Sequence, residues 1–144
     1  DQQPRRAVSD LGSWAAANAD RVIVLKRALH AAKKSPFEDG EFFFAALDIL
    51  ANTYRDVKLG QVDRMSFKDA CDRIGLDYGG SIAEAPGEEY FFNWGGRRVF
   101  LDQHIGRGIS RDPRYCFRAY FTWDADEGKV IIGWTPGHLA TRTT

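Results

Sequence analysis

Apolar residues recur at helical spacing through the first third of the chain. One such series predicts a first helix over residues 13–34 and consists of Trp14, Val22, Leu25 and Leu29. Pro36 ends this helix, since the residue before a proline avoids helical geometry. A broader apolar face that begins at Phe42 predicts a second helix over residues 39–58.

A third helix and four strands are predicted beyond Gly60. Ser66 and Asp69 form a capping box, so we expect a short helix there that closes at Gly75. From residue 77 onward the pattern changes to short alternating runs separated by glycines. The predicted strands span residues 89–94, 97–104, 115–124 and 129–134.

The order of these elements predicts one α+β domain, with about three N-terminal helices packed on a mainly antiparallel sheet of two hairpins. Gly95-Gly96 is a two-residue hairpin signal between the first two strands. Residues 1–8 are interpreted as a linker or disordered end, and the domain covers residues 9–144. Its helical part is 9–76 and its sheet part is 77–144.

Alternation is clearest in the third predicted strand, which has two chemically different faces. The face expected to be buried carries Tyr115, Phe117, Ala119, Phe121 and Trp123. The opposite, polar face carries Cys116, Arg118, Tyr120, Thr122 and Asp124. In the partner strand we expect Val130, Ile132 and Trp134 on the buried side, with Lys129, Ile131 and Gly133 on the polar side. Gly133 would then leave a gap above Arg118 and Tyr120, which predicts a shallow anion site.

Composition limits the partners that the chain can recruit. Lys and Arg total 20, as do Asp and Glu, so the net charge of zero supplies no general attraction for nucleic acid or an anionic membrane. No apolar run approaches the roughly 18–20 residues of a membrane span. Two cysteines, Cys71 and Cys116, are too few for a disulfide framework and suit a reducing compartment. We therefore expect a cytoplasmic protein with no membrane contact.

Positive charge is nevertheless concentrated around the loop that follows His104. Arg107 lies between two glycines, so its backbone can approach a ligand closely. Arginine also offers a planar, two-pronged donor for phosphate. The residues predicted to bind phosphate are Arg107, Arg111, Arg114 and Lys129. The alternative is a solvated arginine loop balanced by an acidic segment, which consists of Glu84, Glu88 and Glu89.

The candidates for catalysis are Arg118, Tyr120, His104 and His138. Arg118 is expected to stabilise phosphate charge, and each histidine lies at a strand end or turn, where it can transfer protons near neutral pH. Structural alternatives remain open. Arg118 could pair with Asp102 or Asp124, the Tyr120 ring could pack under a helix, and each histidine could serve only as a hydrogen-bonding group.

Other chemistries are not favoured by the sequence. Three scattered histidines and no paired cysteine motif do not match the ligand spacing of a structural zinc site. The glycine-arginine segments lack the terminal Lys-Ser/Thr of a phosphate-binding loop. Cys116 shares a strand face with Arg118, but nothing in the pattern places a histidine beside it, so a Cys–His nucleophile pair is not predicted. We expect no metal and no cofactor.

The last third of the chain resembles the C-terminal signature of a family of uncharacterised bacterial proteins. The residues that carry this resemblance are LDQH at 101–104, RDPRYC at 111–116, RAYF at 118–121 and IIGWTPGHL at 131–139. More distantly, helices followed by an arginine-bearing hairpin are similar to RelE-like ribonuclease toxins. That resemblance implies metal-independent RNA cleavage, with Arg118 on the phosphate and Tyr120, His104 or His138 handling protons. RelE-like toxins are usually shorter and basic, whereas this chain is neutral and has a long helical part at its N-terminal side.

The leading hypothesis is a domain that binds RNA or another phosphate-bearing ligand on its polar sheet face and cleaves RNA in stress or phage defence. The alternative is a non-catalytic sensor or protein-interaction domain of a larger bacterial protein, which the first residue, Asp1, and the balanced charge favour. A third hypothesis is a toxin whose first helices bind a neutralising protein. We expect Arg118→Ala to abolish activity and to change the free energy of unfolding by at most about 1 kcal/mol.

Overall fold

The computed structural model of the chain describes residues 6–81 and 87–139. The α-helices of this part are α1 (Leu11–Ala17), α2 (Lys26–Lys34), α3 (Gly40–Ile49), α4 (Arg55–Lys58) and α5 (Arg64–Arg73). The strands are β1 (Val22–Val24), β2 (Asp77–Ser81), β3 (Phe91–Trp94), β4 (Arg97–Phe100), β5 (Gln103–Arg107), β6 (Phe117–Asp124) and β7 (Lys129–Trp134). Short 3-10 turns cover Val8–Asp10 and Glu88–Tyr90, and a π-helical turn (Leu50–Tyr54) joins α3 to α4.

The strands form a five-stranded mixed sheet, in the order β1-β7-β6-β5-β2, and a separate two-stranded sheet of β3 and β4. β1 runs parallel to β7, whereas the other neighbours are antiparallel. The α+β class predicted from the sequence is confirmed. The hairpin at Gly95-Gly96 is confirmed as well, since both glycines have positive φ angles, of 58° and 78°. The two predicted hairpins, however, belong to different sheets.

The first predicted helix, over residues 13–34, is wrong in its middle. The chain forms α1, then the short strand β1, and then α2. β1 consists of three β-branched residues, which favour extended backbone because their side chains are restricted in a helix. Val22, Ile23 and Val24 pair with Val130, Ile131 and Ile132 of β7. A buried parallel pairing therefore overrides the helical spacing of the apolar residues.

The second and third predicted helices form. α3, the π-helical turn and α4 run without a break over residues 40–58, and the Asp39 side chain caps them by accepting a hydrogen bond from Phe42 N at 3.0 Å. The cap of α5 is Asp63 rather than the predicted Ser66. Asp63 Oδ1 accepts from the backbone N–H of Ser66 at 3.2 Å, so the helix begins earlier than the capping box indicated.

The helices cover one face of the large sheet, which we call the helix face, and form the main core with it. On β6 this face carries Phe117, Ala119 and Phe121, all fully buried. The Phe117 ring meets the Phe42 ring edge to face, with a centroid distance of 5.5 Å. Burial of each such aromatic side chain stabilises the fold by about 1.5–3 kcal/mol. The predicted alternation is thus confirmed from Phe117 onward, but Tyr115 precedes the strand and is 52% exposed.

The opposite face of the large sheet, which we call the hairpin face, carries a second, smaller core. This core consists of Tyr90, Leu101, Tyr120 and Leu139, with Phe92, Phe100 and Trp134 packed against it. Trp94 Nε1 donates a hydrogen bond to Asp124 Oδ2 at 3.2 Å and so fastens the β3–β4 hairpin to the end of β6. The polar face predicted by alternation is therefore partly covered by a second layer.

A β-bulge changes the expected register of β6 and β7. The residue opposite Tyr120 is Trp134, and Gly133 is the extra residue of the bulge. Trp134 consequently packs on the hairpin face, so its predicted place on the core side is wrong. The gap expected at Gly133 is also filled, because a Cβ there would lie 2.5 Å from Leu101 Cδ1.

Two other predicted segments differ from the structure. The strand expected over residues 97–104 divides into β4 and β5, which belong to different sheets and are linked by the fully buried Leu101 and by Asp102. Val8, assigned to the linker over residues 1–8, packs into the main core. Residues 1–5 and Glu84 of the predicted acidic segment lie outside the described part of the chain.

Candidate functional site

The antiparallel pairing of β5 and β6 brings candidate residues together on the hairpin face. His104 lies directly opposite Tyr120, and Gly106 lies directly opposite Arg118. Gly106 makes room for the arginine, since a Cβ there would lie 2.6 Å from Arg118 Cδ. The resulting group of side chains, which we call the hairpin-face cluster, consists of His104, Cys116, Arg118, Tyr120 and His138.

Arg118 is held in place by backbone carbonyl groups. Its Nη1 donates to Phe117 O at 2.7 Å and to Arg107 O at 3.2 Å, and its Nη2 donates to Gly108 O at 3.0 Å. Among the described residues no carboxylate forms a salt bridge with Arg118. The guanidinium of Arg118 is therefore fixed in orientation, and no described carboxylate neutralises its positive charge.

The expected carboxylate partners of Arg118 are engaged elsewhere or lie apart from it. Asp124 accepts hydrogen bonds from Trp94 Nε1 and from the backbone N–H of Asp126, at the far end of β6. Asp102 Oδ1 is buried and has no hydrogen-bond partner within residues 6–81 and 87–139. The pairing of Arg118 with either aspartate is therefore not formed.

His104 stacks on Tyr120, with ring centroids 6.0 Å apart and planes inclined by 19°. Its ring lies against the backbone of β2, because a Cβ on Gly79 would come within 2.0 Å of His104 Nε2. Burial, and then the positive charge of Arg118, lower the pKa of His104 below its usual 6.5. The imidazole is consequently neutral at pH 7.

His138 reaches the same cluster from the segment that follows β7. Two hydrogen bonds hold this segment against β6: Arg118 N donates to Pro136 O at 2.7 Å, and Thr135 Oγ1 donates to Arg118 O at 2.8 Å. Burial first, then Arg118, and then His104 lower the pKa of His138. Because the charge of His104 contributes to the lowered pKa of His138, the two histidines belong to one cluster, and the His138 ring is also neutral at pH 7.

Cys116 is the member of the cluster that the sequence analysis did not identify. Its Sγ lies 3.3 Å from His138 Nε2 and 3.7 Å from Gly108 O. The Cys–His pair that was not predicted is thus formed. The signal for it was present, since β7 runs antiparallel to β6 and the chain beyond Trp134 continues toward the start of β6.

Tyr120 packs as part of the second core, and it does so under the hairpin rather than under a helix. Its side chain is 5% exposed, and its ring meets the Tyr90 ring edge to face at 5.5 Å. The Tyr120 hydroxyl hydrogen-bonds with the Tyr90 side chain and with the backbone N–H of Leu139. Burial raises the pKa of Tyr120, so the phenol is protonated and supports the His104 ring that stacks on it.

The residues predicted to bind phosphate do not join the cluster. Arg107 lies on the helix face, where its guanidinium covers the Phe42 ring at 3.5 Å and donates to Asp39 Oδ2 at 3.2 Å. Arg114 donates to Asp112 Oδ2 at 2.6 Å, and this hydrogen bond lowers the pKa of the aspartate. The arginine loop is thus neutralised mainly by its own neighbours.

The remaining two predicted phosphate ligands also lie apart from Arg118. Arg111 is exposed in the loop between β5 and β6 and forms no hydrogen bond or ion pair with a described residue. Lys129 lies opposite Asp124, at the far end of the β6–β7 hairpin. The acidic residue Glu88, expected to balance the loop, instead bonds Arg98 at 2.6 Å.

No group of three or more His, Cys, Asp or Glu side chains within the described ranges has the arrangement of a metal site. The same part of the chain contains no helix with the length and apolar character that a membrane crossing requires. Comparison of the chain with protein-family models, with curated proteins and with solved structures finds no match. The chemistry of the site is therefore argued from its own geometry.

Proposed function

We propose that this chain binds RNA at the hairpin-face cluster and cleaves it without a metal ion. The observation that carries the proposal is the charge of Arg118, which contributes to the lowered pKa of both His104 and His138 and forms no salt bridge with a described carboxylate. A fixed cation with adjacent proton acceptors suits a phosphodiester, whose charge grows as the bond to the leaving group breaks.

Arg118 has N–H groups that remain available to donate hydrogen bonds to such a ligand. Nη1 and one N–H group of Nη2 donate to backbone carbonyl oxygens. Nε and the second N–H group of Nη2 donate to no described residue. These two donors have the spacing that lets arginine bind two phosphate oxygens at once. The carbonyl contacts fix the guanidinium before the ligand arrives, which reduces the entropy lost on binding.

The two histidines supply the proton transfers of the proposed reaction. One neutral imidazole accepts the proton of the ribose 2′-hydroxyl as that oxygen attacks the adjacent phosphorus. The other, once protonated, donates to the departing 5′-oxygen. A bound phosphate raises the pKa of a neighbouring histidine, so substrate binding favours the protonated form that the second step needs. Arg118 stabilises the charge that develops on the phosphate oxygens.

The test is cleavage of a labelled RNA oligonucleotide by the full chain in the presence of EDTA. We expect products with 2′,3′-cyclic phosphate ends, and no cleavage at a nucleotide that carries a 2′-deoxyribose. His104→Gln and His138→Gln should each lower the rate by about 10²-fold or more, whereas the exposed His30→Gln should not. RNA that is bound but left intact would overturn the catalytic part of the proposal, and absence of salt-dependent binding would overturn the whole.

A toxin role in the cytoplasm follows from the same activity. The two cysteines are free and lie on opposite faces of the sheet, which favours a reducing compartment. Expression of the chain in a bacterial host should then arrest growth and lower the level of intact RNA. His138→Gln should permit growth at equal expression, and arrest by that variant would contradict this role.

A second candidate function, a non-catalytic protein-interaction domain, is favoured by a groove of about 1070 Å³ between α4, α5 and β2. Met65 and Tyr78 line it and are 57% and 45% exposed, which is high for large apolar side chains. A photo-crosslinking amino acid at position 65 should capture a protein partner that the same group at the exposed Lys33 does not. Equal capture at both positions would remove the support for this function.

A further inference from the structure

We propose that Cys116 is a peroxide-reactive thiol whose proton is accepted by His138. The observation behind this inference is the 3.3 Å distance between Cys116 Sγ and His138 Nε2. A thiolate, rather than a thiol, is the nucleophile in cysteine chemistry, so a proton acceptor within contact distance decides which cysteine reacts. The inference concerns the thiol itself and stands whether or not the chain cleaves RNA.

Three features of the structure support a reactive role for this pair. Thr135 and Pro136 bond the backbone of Arg118, so the segment that carries His138 runs alongside the start of β6. The neutral state of His138, whose pKa is lowered chiefly by burial, leaves a ring nitrogen able to accept a proton. Cys116 is 4% exposed and its partner His138 is exposed, so we expect a small oxidant to reach the sulfur beside the histidine ring.

Arg118 supplies the positive charge that such a site needs. Its Nη2 and the Cys116 sulfur both contact the carbonyl oxygen of Gly108, at 3.0 and 3.7 Å, so guanidinium and sulfur share one acceptor atom. A nearby guanidinium stabilises the anionic oxygen of an oxidised sulfur by charge attraction. No described carboxylate forms a salt bridge with Arg118 that would cancel this effect.

The other cysteine provides a matched comparison within the same molecule. Cys71 belongs to the main core on the helix face and is 2% exposed. Burial raises the pKa of Cys71 to about 11, and no hydrogen bond joins it to a histidine within residues 6–81 and 87–139. Because the large sheet separates the two sulfur atoms, Cys71 is not placed to form a disulfide with an oxidised Cys116.

The proposed step balances as follows. The Cys116 thiol gives its proton to His138 Nε2, and the thiolate attacks one oxygen of hydrogen peroxide or another small hydroperoxide. The S–O bond forms as the O–O bond breaks, and His138 returns the proton to the departing oxygen, which leaves as water or an alcohol. The cysteine is oxidised to sulfenic acid and the peroxide is reduced. Since Cys71 lies on the other face, one small thiol from solution then converts the sulfenic acid to a mixed disulfide with loss of water. A second thiol releases Cys116 as the free thiol and leaves as a disulfide with the first.

The experiment exposes the full chain to hydrogen peroxide for graded times and removes the oxidant with catalase. The protein is then denatured in a buffer that contains a sulfenic-acid trapping reagent and an alkylating reagent for reduced thiols. Peptide mass spectrometry gives the oxidised fraction of each cysteine separately. We expect Cys116 to be oxidised at least about tenfold faster than Cys71, because base assistance alone contributes that much or more.

His138→Gln tests the role of the imidazole, with His30→Gln as the matched control on α2. The first variant should slow oxidation of Cys116 by about tenfold, and the second should leave it unchanged. Cys71 reports on folding in the same sample, since an unfolded variant would expose it and raise its oxidation. Equal rates for the two cysteines in the unmodified chain would overturn the proposal without reference to any variant. An unchanged Cys116 rate in folded His138→Gln would overturn the role of the histidine.

Discussion

Leu101 fills the space that Gly133 leaves on the hairpin face of the large sheet. A Cβ on Gly133 would lie 2.5 Å from Leu101 Cδ1 and 3.0 Å from its Cγ, and Leu101 is fully buried. Leu101 directly follows β4, whereas Gly133 is the bulged residue of β7. The contact therefore joins the small sheet to the large one, and it closes the place where a missing side chain would have suggested a ligand pocket.

Gly133→Ala should destabilise the chain because the new methyl group overlaps the fully buried side chain of Leu101. We expect a loss of about 1–3 kcal/mol in the free energy of unfolding, measured by urea denaturation. Leu101→Ala alone should cost about 2–5 kcal/mol, and in that background Gly133→Ala should cost much less. Simple additivity of the two substitutions would show that they do not share this space.

Arg118→Ala should reduce stability more than the sequence alone indicated. The substitution removes the donors for the carbonyl oxygens of Phe117, Arg107 and Gly108, which join β5 and β6 at the start of the loop. We expect a loss of about 1–3 kcal/mol, rather than a surface effect of 1 kcal/mol or less. Arg114→Ala is the control, since the side chain of that exposed arginine contacts its near neighbours Asp112 and Tyr115 and joins no two strands. Equal thermal stability of the two variants would contradict the structural role of Arg118.

The core face of β6 could be predicted from the sequence because it depends on a local period of two. Phe117, Ala119 and Phe121 alternate with polar residues and lie where alternation places them. β1 could not be predicted in the same way, since its strand state depends on a parallel pairing with β7, more than one hundred residues along the chain. Long-range pairing also decided that the two hairpins belong to different sheets.

The Cys116–His138 contact was not predicted because it depends on a one-residue shift in the pairing of β6 and β7. Without a bulge, the β6–β7 register would place Gly137 opposite Cys116. The bulge at Gly133 shifts the pairing by one, so that continuing from Tyr120–Trp134 places His138 opposite Cys116. The sequence could place Arg118 on the polar face and His104 at a strand end because these positions depend on their own strands. The contact with Cys116 depends on how two strands are aligned.

Asp63→Ala should destabilise α5, whereas Ser66→Ala should not. The Asp63 carboxylate accepts from the Ser66 backbone N–H at 3.2 Å, whereas the Ser66 hydroxyl lies 3.5 Å from the same oxygen, which is long for a hydrogen bond. Loss of an N-cap side chain costs about 0.5–2 kcal/mol, which thermal unfolding followed by circular dichroism can resolve. A larger effect at Ser66 would mean that the capping box predicted from the sequence is the one that forms.

The stability of the chain should fall as the pH falls below about 6.5, because the fold holds His104 and His138 neutral. Burial and Arg118 lower the pKa of both histidines in the folded chain, while the unfolded chain protonates near the ordinary value of 6.5. In this window the unfolded state binds more protons, so the free energy of unfolding decreases as the pH falls. The loss is complete once the pH is below the lowered pKa of the folded chain.

The measurement is urea denaturation at a series of pH values between 5 and 8, for the unmodified chain and for the variant that carries both His104→Gln and His138→Gln. Glutamine does not titrate, so the variant should show a flatter dependence through the histidine range, whatever its absolute stability. His104 also lowers the pKa of His138, so the two titrations are coupled. Each single variant should therefore flatten the dependence of the unfolding free energy on pH by more than the contribution of the one histidine it removes. A double variant with the full slope would assign the acid sensitivity to other groups and contradict the burial of neutral histidines at this site.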